Sequence, residues 1–191
     1  MMTLPLLFLS MHANAQNNKP NAKVEPITIG YKGKKVKAKK LTVSSEIRID
    51  IDSAWKNVKT PALLEFVAEG MIRFKPLGDG FPKQWKVGET YGVKMRIFGF
   101  IPFGGTHYLY IEKIDDENHT IATKEWDRGA KVWNHVVMMK DLGEGRIFYE
   151  DTITIYGGLM TGMISSFAKR FYKHRQKRWQ LLAEENLNFY E

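Results

Sequence analysis

Four side chains in the second half of this chain can be brought together to do polar chemistry inside an apolar setting. The segment Arg146–Tyr156 alternates, so that Ile147, Tyr149, Asp151, Ile153 and Ile155 share one face. Asp151 is the one charge on it. In the preceding strand-like segment, Trp133, His135, Val137 and Met139 share a face. Further on, Met160, Ile164, Phe167, Phe171, Arg175, Arg178 and Leu182 recur at helical steps of three and four, which predicts a helix over residues 159–186. Lys169, Lys173, Gln176, Lys177, Gln180 and Glu184 fall opposite. Two arginines thus sit in an apolar stripe, and a buried guanidinium is costly unless paired. Asp151 and His135 are expected to meet Arg175 or Arg178 beneath this helix, where carboxylate, imidazole and guanidinium satisfy one another. The first role of such a group is to fix helix on sheet. A second is to orient the polar group of a ligand in an apolar pocket. A third is general acid/base catalysis by His135 or Asp151.

Other chemistries find little support. The chain has no cysteine, which excludes disulfides, thiol nucleophiles and thiolate metal sites. His107, His135 and His174 follow no metal-ligand spacing, so no metal is expected, nor any cofactor. The serines sit in regular elements without a nucleophile elbow. Gly99, Gly104 and Gly105 have no helix with Lys-Ser/Thr after them and read as a tight turn or bulged strand, not a phosphate loop.

The elements that must position these residues follow in a simple order. Leu41–Ile51 alternates and reads as a half-buried strand, capped by Asp52 or Ser53 before a short helix at Ala54-Trp55. Pro61 opens a second short helix, ended by Gly70. From Met71 to Tyr156, strand-like runs alternate with Gly, Asp and Asn turns. Consecutive strands with short turns make an antiparallel sheet, and one long amphipathic helix must cover one face of it. The fold class expected is α+β, a curved sheet of about six to seven strands with two short helices after the first strand and a long C-terminal helix across it. A curved sheet closed by a helix encloses space.

That order, with "EIRIDIDSAWKNVKTPALLEFV", "VWNHVVMM", "FYEDTITIYGG" and "FYKHRQKRW" as its landmarks, resembles the SRPBCC superfamily of helix-grip proteins. START-related lipid carriers, pollen-allergen-like proteins and polyketide cyclases belong to it. The likeness covers about residues 41–187. It implies the helix-grip fold and a hydrophobic cavity, and no single activity.

The formal net charge is +8, and much of it is local: six lysines lie between Lys32 and Lys40, and Lys169, Arg170, Lys173 and Lys177 on the outer helix face. Such charge suits an anionic membrane surface as partner; no nucleic-acid motif accompanies it, and no nucleic acid is expected. Residues 1–15, MMTLPLLFLSMHANA, read as a cleavable leader ending at Ala13-Asn14-Ala15, though without a basic n-region. That places the protein in the periplasm or outside the cell; without cleavage it is cytoplasmic. Residues 16–40 read as a basic linker or hairpin, and 41–191 as the helix-grip domain.

The reading favours binding over catalysis. The partner is a small hydrophobic or amphipathic molecule, lipid-like or polycyclic, held between helix and sheet by Trp133, His135, Tyr149, Asp151, Phe167, Phe171, Arg175 and Arg178. Met95, Tyr108, Tyr110, Trp126, Met139, Met160 and Met163 are further candidates for the cavity wall. The alternatives are an enzyme of cyclase or hydratase type using His135 and Asp151, and a protein docking on membranes or partners through its basic segments.

Overall fold

The computed structural model describes residues 19–190. The leader-like residues 1–15 lie outside them. Eight strands form one sheet: β1 (Asn21–Tyr31), β2 (Lys34–Ile47), β3 (Ile72–Pro76), β4 (Thr90–Ile97), β5 (Ile101–Asp115), β6 (Thr120–Trp126), β7 (Val132–Gly143) and β8 (Arg146–Tyr156). Their order is β1-β2-β8-β7-β6-β5-β4-β3, with every neighbouring pair antiparallel. Helices α1 (Ile51–Val58) and α2 (Pro61–Ala68) follow β2, and α3 (Thr161–Glu184) ends the fold after a short 3-10 turn at Gly158–Met160. This is the expected helix-grip architecture, with one strand more than the sequence reading gave.

The additional strand comes from the lysine-rich segment. Residues 16–40 were expected to form a linker or hairpin before a domain beginning at Leu41; the hairpin is present, but it is not separate from the domain. Instead β2 runs unbroken from Lys34 to Ile47, and β1 pairs with it from Asn21↔Ser44 to Tyr31↔Lys34. Ala38, in the middle of the lysine run, is buried. The lysines fall on both faces of β2: Lys35, Lys37 and Lys39 share the parity of the inward Leu41 and Val43, while Lys34 and Lys40 share that of Ala38.

Local chemistry accounts for the two short helices. Asp50, not Asp52 or Ser53, caps α1, accepting a hydrogen bond from the Ser53 amide at 2.8 Å. Thr60 caps α2 in the same way through the Leu63 amide at 3.2 Å, with Pro61 in the first turn. Between β4 and β5, Phe98 and Gly99 take positive φ in a tight turn. The register then slips between Lys94 and Met95, where Gly105 also has positive φ, so this segment is both a turn and a bulge.

Helix α3 lies over β1, β2 and β8 and against α2. Its buried face is turned from the one expected. Ile164, Ala168, Phe171, Tyr172, Arg175, Gln176, Trp179 and Leu182 are buried, while Phe167 and Arg178 sit at the edge and Met160 and Met163 are exposed. Gln176, placed outside by its polarity, is fully buried because its side chain donates to the Val43 carbonyl at 2.6 Å and to Asp151 at 3.3 Å. One core cluster lies under the N-terminal half of α3 against β2, β8 and the β3–β4 edge. A second joins Tyr149, Trp179 and Leu182 to α1 and α2.

The junction from β8 to α3 leaves no room for a side chain at Gly157. A Cβ there would lie 2.5 Å from Ile164 Cδ1 and 2.8 Å from the Gly129 carbonyl. Gly157→Ala is therefore expected to lower stability by about 1–3 kcal/mol, as overpacking does, read as a shift of the urea midpoint.

Candidate functional site: a cavity with one polar wall

Because α3 sits toward the β1-β2-β8 side, the other half of the concave sheet is left to close on itself. There it forms, with the flank of α3, a partly open cavity of about 100 Å³. Its walls come from β3 to β7, α2, α3 and the loop after β3. Ile72, Val93, Leu109, Ile111 and Ile121 supply apolar surface. Phe81 and Trp85 come from the loop, which is tied down by the Trp85 amide to the Lys59 carbonyl and by Gly88 and Glu89 to Ile111.

The polar groups gather on one wall. His107, Thr123, Glu125, Asp127 and His135 lie on β5, β6 and β7 or just beyond, and Arg175 reaches in from α3. Antiparallel register places them side by side: Thr123 faces His135 across β6–β7. Asp127 is fixed by the turn that follows β6, where one of its oxygens accepts the Gly129 and Ala130 amides at 2.7 Å each. Its other oxygen accepts from His107 Nδ1 at 3.0 Å, and Glu125 Oε2 accepts from His107 Nε2 at 3.0 Å. An imidazole between two carboxylates must donate from both nitrogens, which requires the imidazolium. Burial opposes that charge, but hydrogen bonds to Asp127 and Glu125 outweigh it and raise the His107 pKa to about 9. Burial likewise pushes the Glu125 and Asp127 carboxyls up; His107 overcomes this and holds both below their ordinary values. Thr123 donates to the remaining Glu125 oxygen at 2.6 Å.

The second group is the one expected from the sequence, with Arg175 and not Arg178 as its guanidinium. His135 Nε2 lies 2.8 Å from Asp151 Oδ1, and the Tyr149 hydroxyl donates to the same oxygen at 3.0 Å. Arg175 donates to Tyr149 Oη from Nε at 3.2 Å and from Nη2 at 3.1 Å, and its Nε is 3.5 Å from Asp151. Burial would raise the fully buried Asp151 carboxyl, but the Arg175 guanidinium and His135 outweigh it and hold it below the usual carboxylate range. Burial drives the Tyr149 and Tyr172 hydroxyls up, so both stay protonated.

Arg178 does not join. It points past the edge of α3, donates to the Phe66 carbonyl at 3.1 Å, pairs with Glu69 at 2.5 Å and stacks on the Phe66 ring at 4.0 Å. One helical step of three separates the two arginines, and that 300° turn carries Arg178 to the α2 side.

Of the residues expected at the site, Trp133, His135, Phe167, Phe171 and Arg175 line the cavity. Tyr149 and Asp151 stand behind His135 as its support. Arg178 is outside. Among the further candidates Met95 lines the wall; Met139 belongs to the core around Trp179. Tyr108 and Trp126 stack at 5.6 Å on the outer face of the sheet, and Met160 and Met163 are exposed. Sequence reasoning missed His107, Glu125 and Asp127. The signal available was alternation: Thr123, Glu125 and Asp127 share a parity with the inward Ile121.

No protein-family model matches the sequence, and none of the curated protein sequences matches it. The fold is similar to that of norcoclaurine synthase from Thalictrum flavum, solved as a point mutant in complex with a transition-state analogue. Identity is 14%, the match covers 86% of this chain and 99% of that one, and the TM-score is 0.58. It is similar also to ginseng major latex-like protein 151 from Panax ginseng (16% identity, 75% and 96% covered, TM-score 0.56). A third is a START superfamily protein from Mycobacterium smegmatis (12% identity, 78% and 99% covered, TM-score 0.55). The chain has the START-related helix-grip fold. At these identities the likeness concerns the fold alone.

Proposed function

We propose that this protein binds a small apolar or amphipathic molecule in the cavity between the sheet and α3. The observation that carries this reading is the cavity itself: concave and partly open, apolar over most of its wall, with its polar groups gathered on one side. Apolar burial supplies affinity, and the His135–Asp151–Arg175 group supplies orientation. A cavity of about 150 Å³ can hold a benzene ring. The space here, about 100 Å³, is smaller than that, so a short chain fits it as it stands and a ring needs the walls to give slightly. A lipid-like or polycyclic ligand fits once Phe81, Trp85 and Phe167 move apart. Native mass spectrometry of protein isolated gently from its own host, followed by organic extraction, tests this. A co-purifying amphipathic molecule supports the reading. A clean apo mass, with no mass gain on adding single-ring hydrocarbons, contradicts it.

A second reading rests on a different surface. Leu159, Met160 and Met163 are exposed at the start of α3, with the Lys131 ammonium beside Gly158. Apolar side chains next to cations suit an anionic membrane. Salt-sensitive co-sedimentation with phosphatidylserine vesicles, lost in Leu159→Ser/Met163→Ser, is the expected result; equal binding to neutral vesicles sinks it.

A further inference from the structure

The polar wall has more acceptors than its own cations can serve. Three carboxylates, Glu125, Asp127 and Asp151, meet two cations, the His107 imidazolium and the Arg175 guanidinium. Both cations are engaged: His107 on Asp127 and Glu125, Arg175 on Tyr149 and Asp151. No lysine lines the cavity. Counting these groups, the wall holds three carboxylates against two cations, and opposite charges beside a largely apolar wall attract more strongly than in water.

The geometry locates where that excess is felt. Asp151 is an acceptor, so His135 donates to it from Nε2, and in the neutral ring Nδ1 keeps its lone pair. His135 is 7% exposed and lines the cavity. Its Nδ1 stands 3.9 Å from Glu125 Oε1. That is too long for a hydrogen bond between them. It is short enough for a third atom to lie at about 2.9 Å from both, the usual N–H···O distance. A group filling this gap must donate twice, to a nitrogen lone pair and to a carboxylate oxygen. A hydroxyl has one hydrogen to give; water, an uncharged NH2 group and a protonated amine can each give two, and of these the protonated amine alone adds a positive charge beside Glu125 Oε1, which already accepts from Thr123 at 2.6 Å.

We infer that the cavity takes a ligand with an apolar body and a protonated amine, the ammonium seated between His135 Nδ1 and Glu125 Oε1. The inference rests on the cavity-binding reading above and names the class of ligand for that site. The body then lies along Leu109, Ile121, Phe167 and Phe171, and the Tyr172 ring, 5.0 Å from the His135 ring, flanks the head group.

Four single-ring probes of matched size separate the outcomes: n-propylbenzene, 2-phenylethanol, 2-phenylethylamine and 3-phenylpropionate, titrated calorimetrically into the full chain at pH 7. The expected result is that 2-phenylethylamine binds at least tenfold tighter than the alcohol and the hydrocarbon, with the carboxylate weakest. Glu125→Gln is expected to erase that preference; if the variant does not fold, the wild-type series decides alone. Equal affinities for amine and hydrocarbon, or a preference for the carboxylate, overturn the amine site and leave the cavity reading standing. Binding of none of the four overturns both.

Discussion

Asp151→Ala lowers the stability of this protein by about 3–5 kcal/mol, the cost of breaking a buried ion pair from one side. Asp151 is fully buried and accepts from His135, Tyr149 and Gln176, with Arg175 3.5 Å away. Removing it leaves the Arg175 guanidinium, 6% exposed, with the Tyr149 oxygen as its one close acceptor among the described residues. It also frees the Gln176 amide group to its single bond with Val43. The consequence runs through the fold, because this group ties α3 to β2, β7 and β8 at once. Urea unfolding measures it as a lower midpoint at unchanged slope. Arg178→Ala, by contrast, removes a partly exposed pair with Glu69 and costs about 1 kcal/mol or less. Equal effects of the two substitutions would show that the buried network does not hold helix on sheet.

Stability falls as pH rises from about 6.5 to 9, and His107 is the cause. Its pKa is about 9 in the folded protein against an ordinary 6.5. A group whose pKa is raised on folding stabilises fully below the unfolded value, and that stabilisation is lost as pH climbs through the folded one. At about 1.36 kcal/mol per unit, the loss across this window is about 3 kcal/mol. Above pH 9 the neutral ring has one N–H for two carboxylates, and Glu125 and Asp127 face each other with less charge between them. Asp151, Glu125 and Asp127, all held below their ordinary values, act in the opposite sense and weaken the fold only on the acid side. Thermal melting from pH 6 to 9.5 measures the slope. His107→Gln is less stable than wild type at pH 6.5 and flat across the window; a wild-type melting temperature that holds level to pH 9 would refute the assignment.

The fold was legible because its signals are periodic. Strand β8 alternates along its whole length, and the inward set Ile147, Tyr149, Asp151, Ile153 and Ile155 is buried as the pattern predicts. The pairing of Asp151 with His135 and Arg175 followed from placing each polar residue on an apolar face and asking what could satisfy it. Two errors share one origin. Gln176 was placed outside and Arg178 inside because the stripe on α3 was centred by side-chain polarity. The helix's rotation is decided instead by what lies beneath it: the Val43 carbonyl accepts Gln176, and Glu69 and the Phe66 ring hold Arg178 at the edge. The lysine run was read as linker or hairpin, and the hairpin is there, turning at Lys32-Gly33; what the run hid is that its second strand continues without a break into the first strand of the domain. His107 and Glu125 were illegible for a different reason. They meet each other across β5 and β6, where the register slips between Ile111 and Lys113, and no spacing within one segment reports that meeting.

The central claim is that the cavity between the sheet and α3 receives a ligand, and methyl-resolved NMR with n-propylbenzene tests it most directly. The expected result is a saturable set of shifts confined to the methyls of Ile72, Met95, Leu109, Ile111 and Ile121, all on the cavity wall. Shifts centred instead on Met160 and Met163 at the start of α3, or no saturable shift at all, would contradict it.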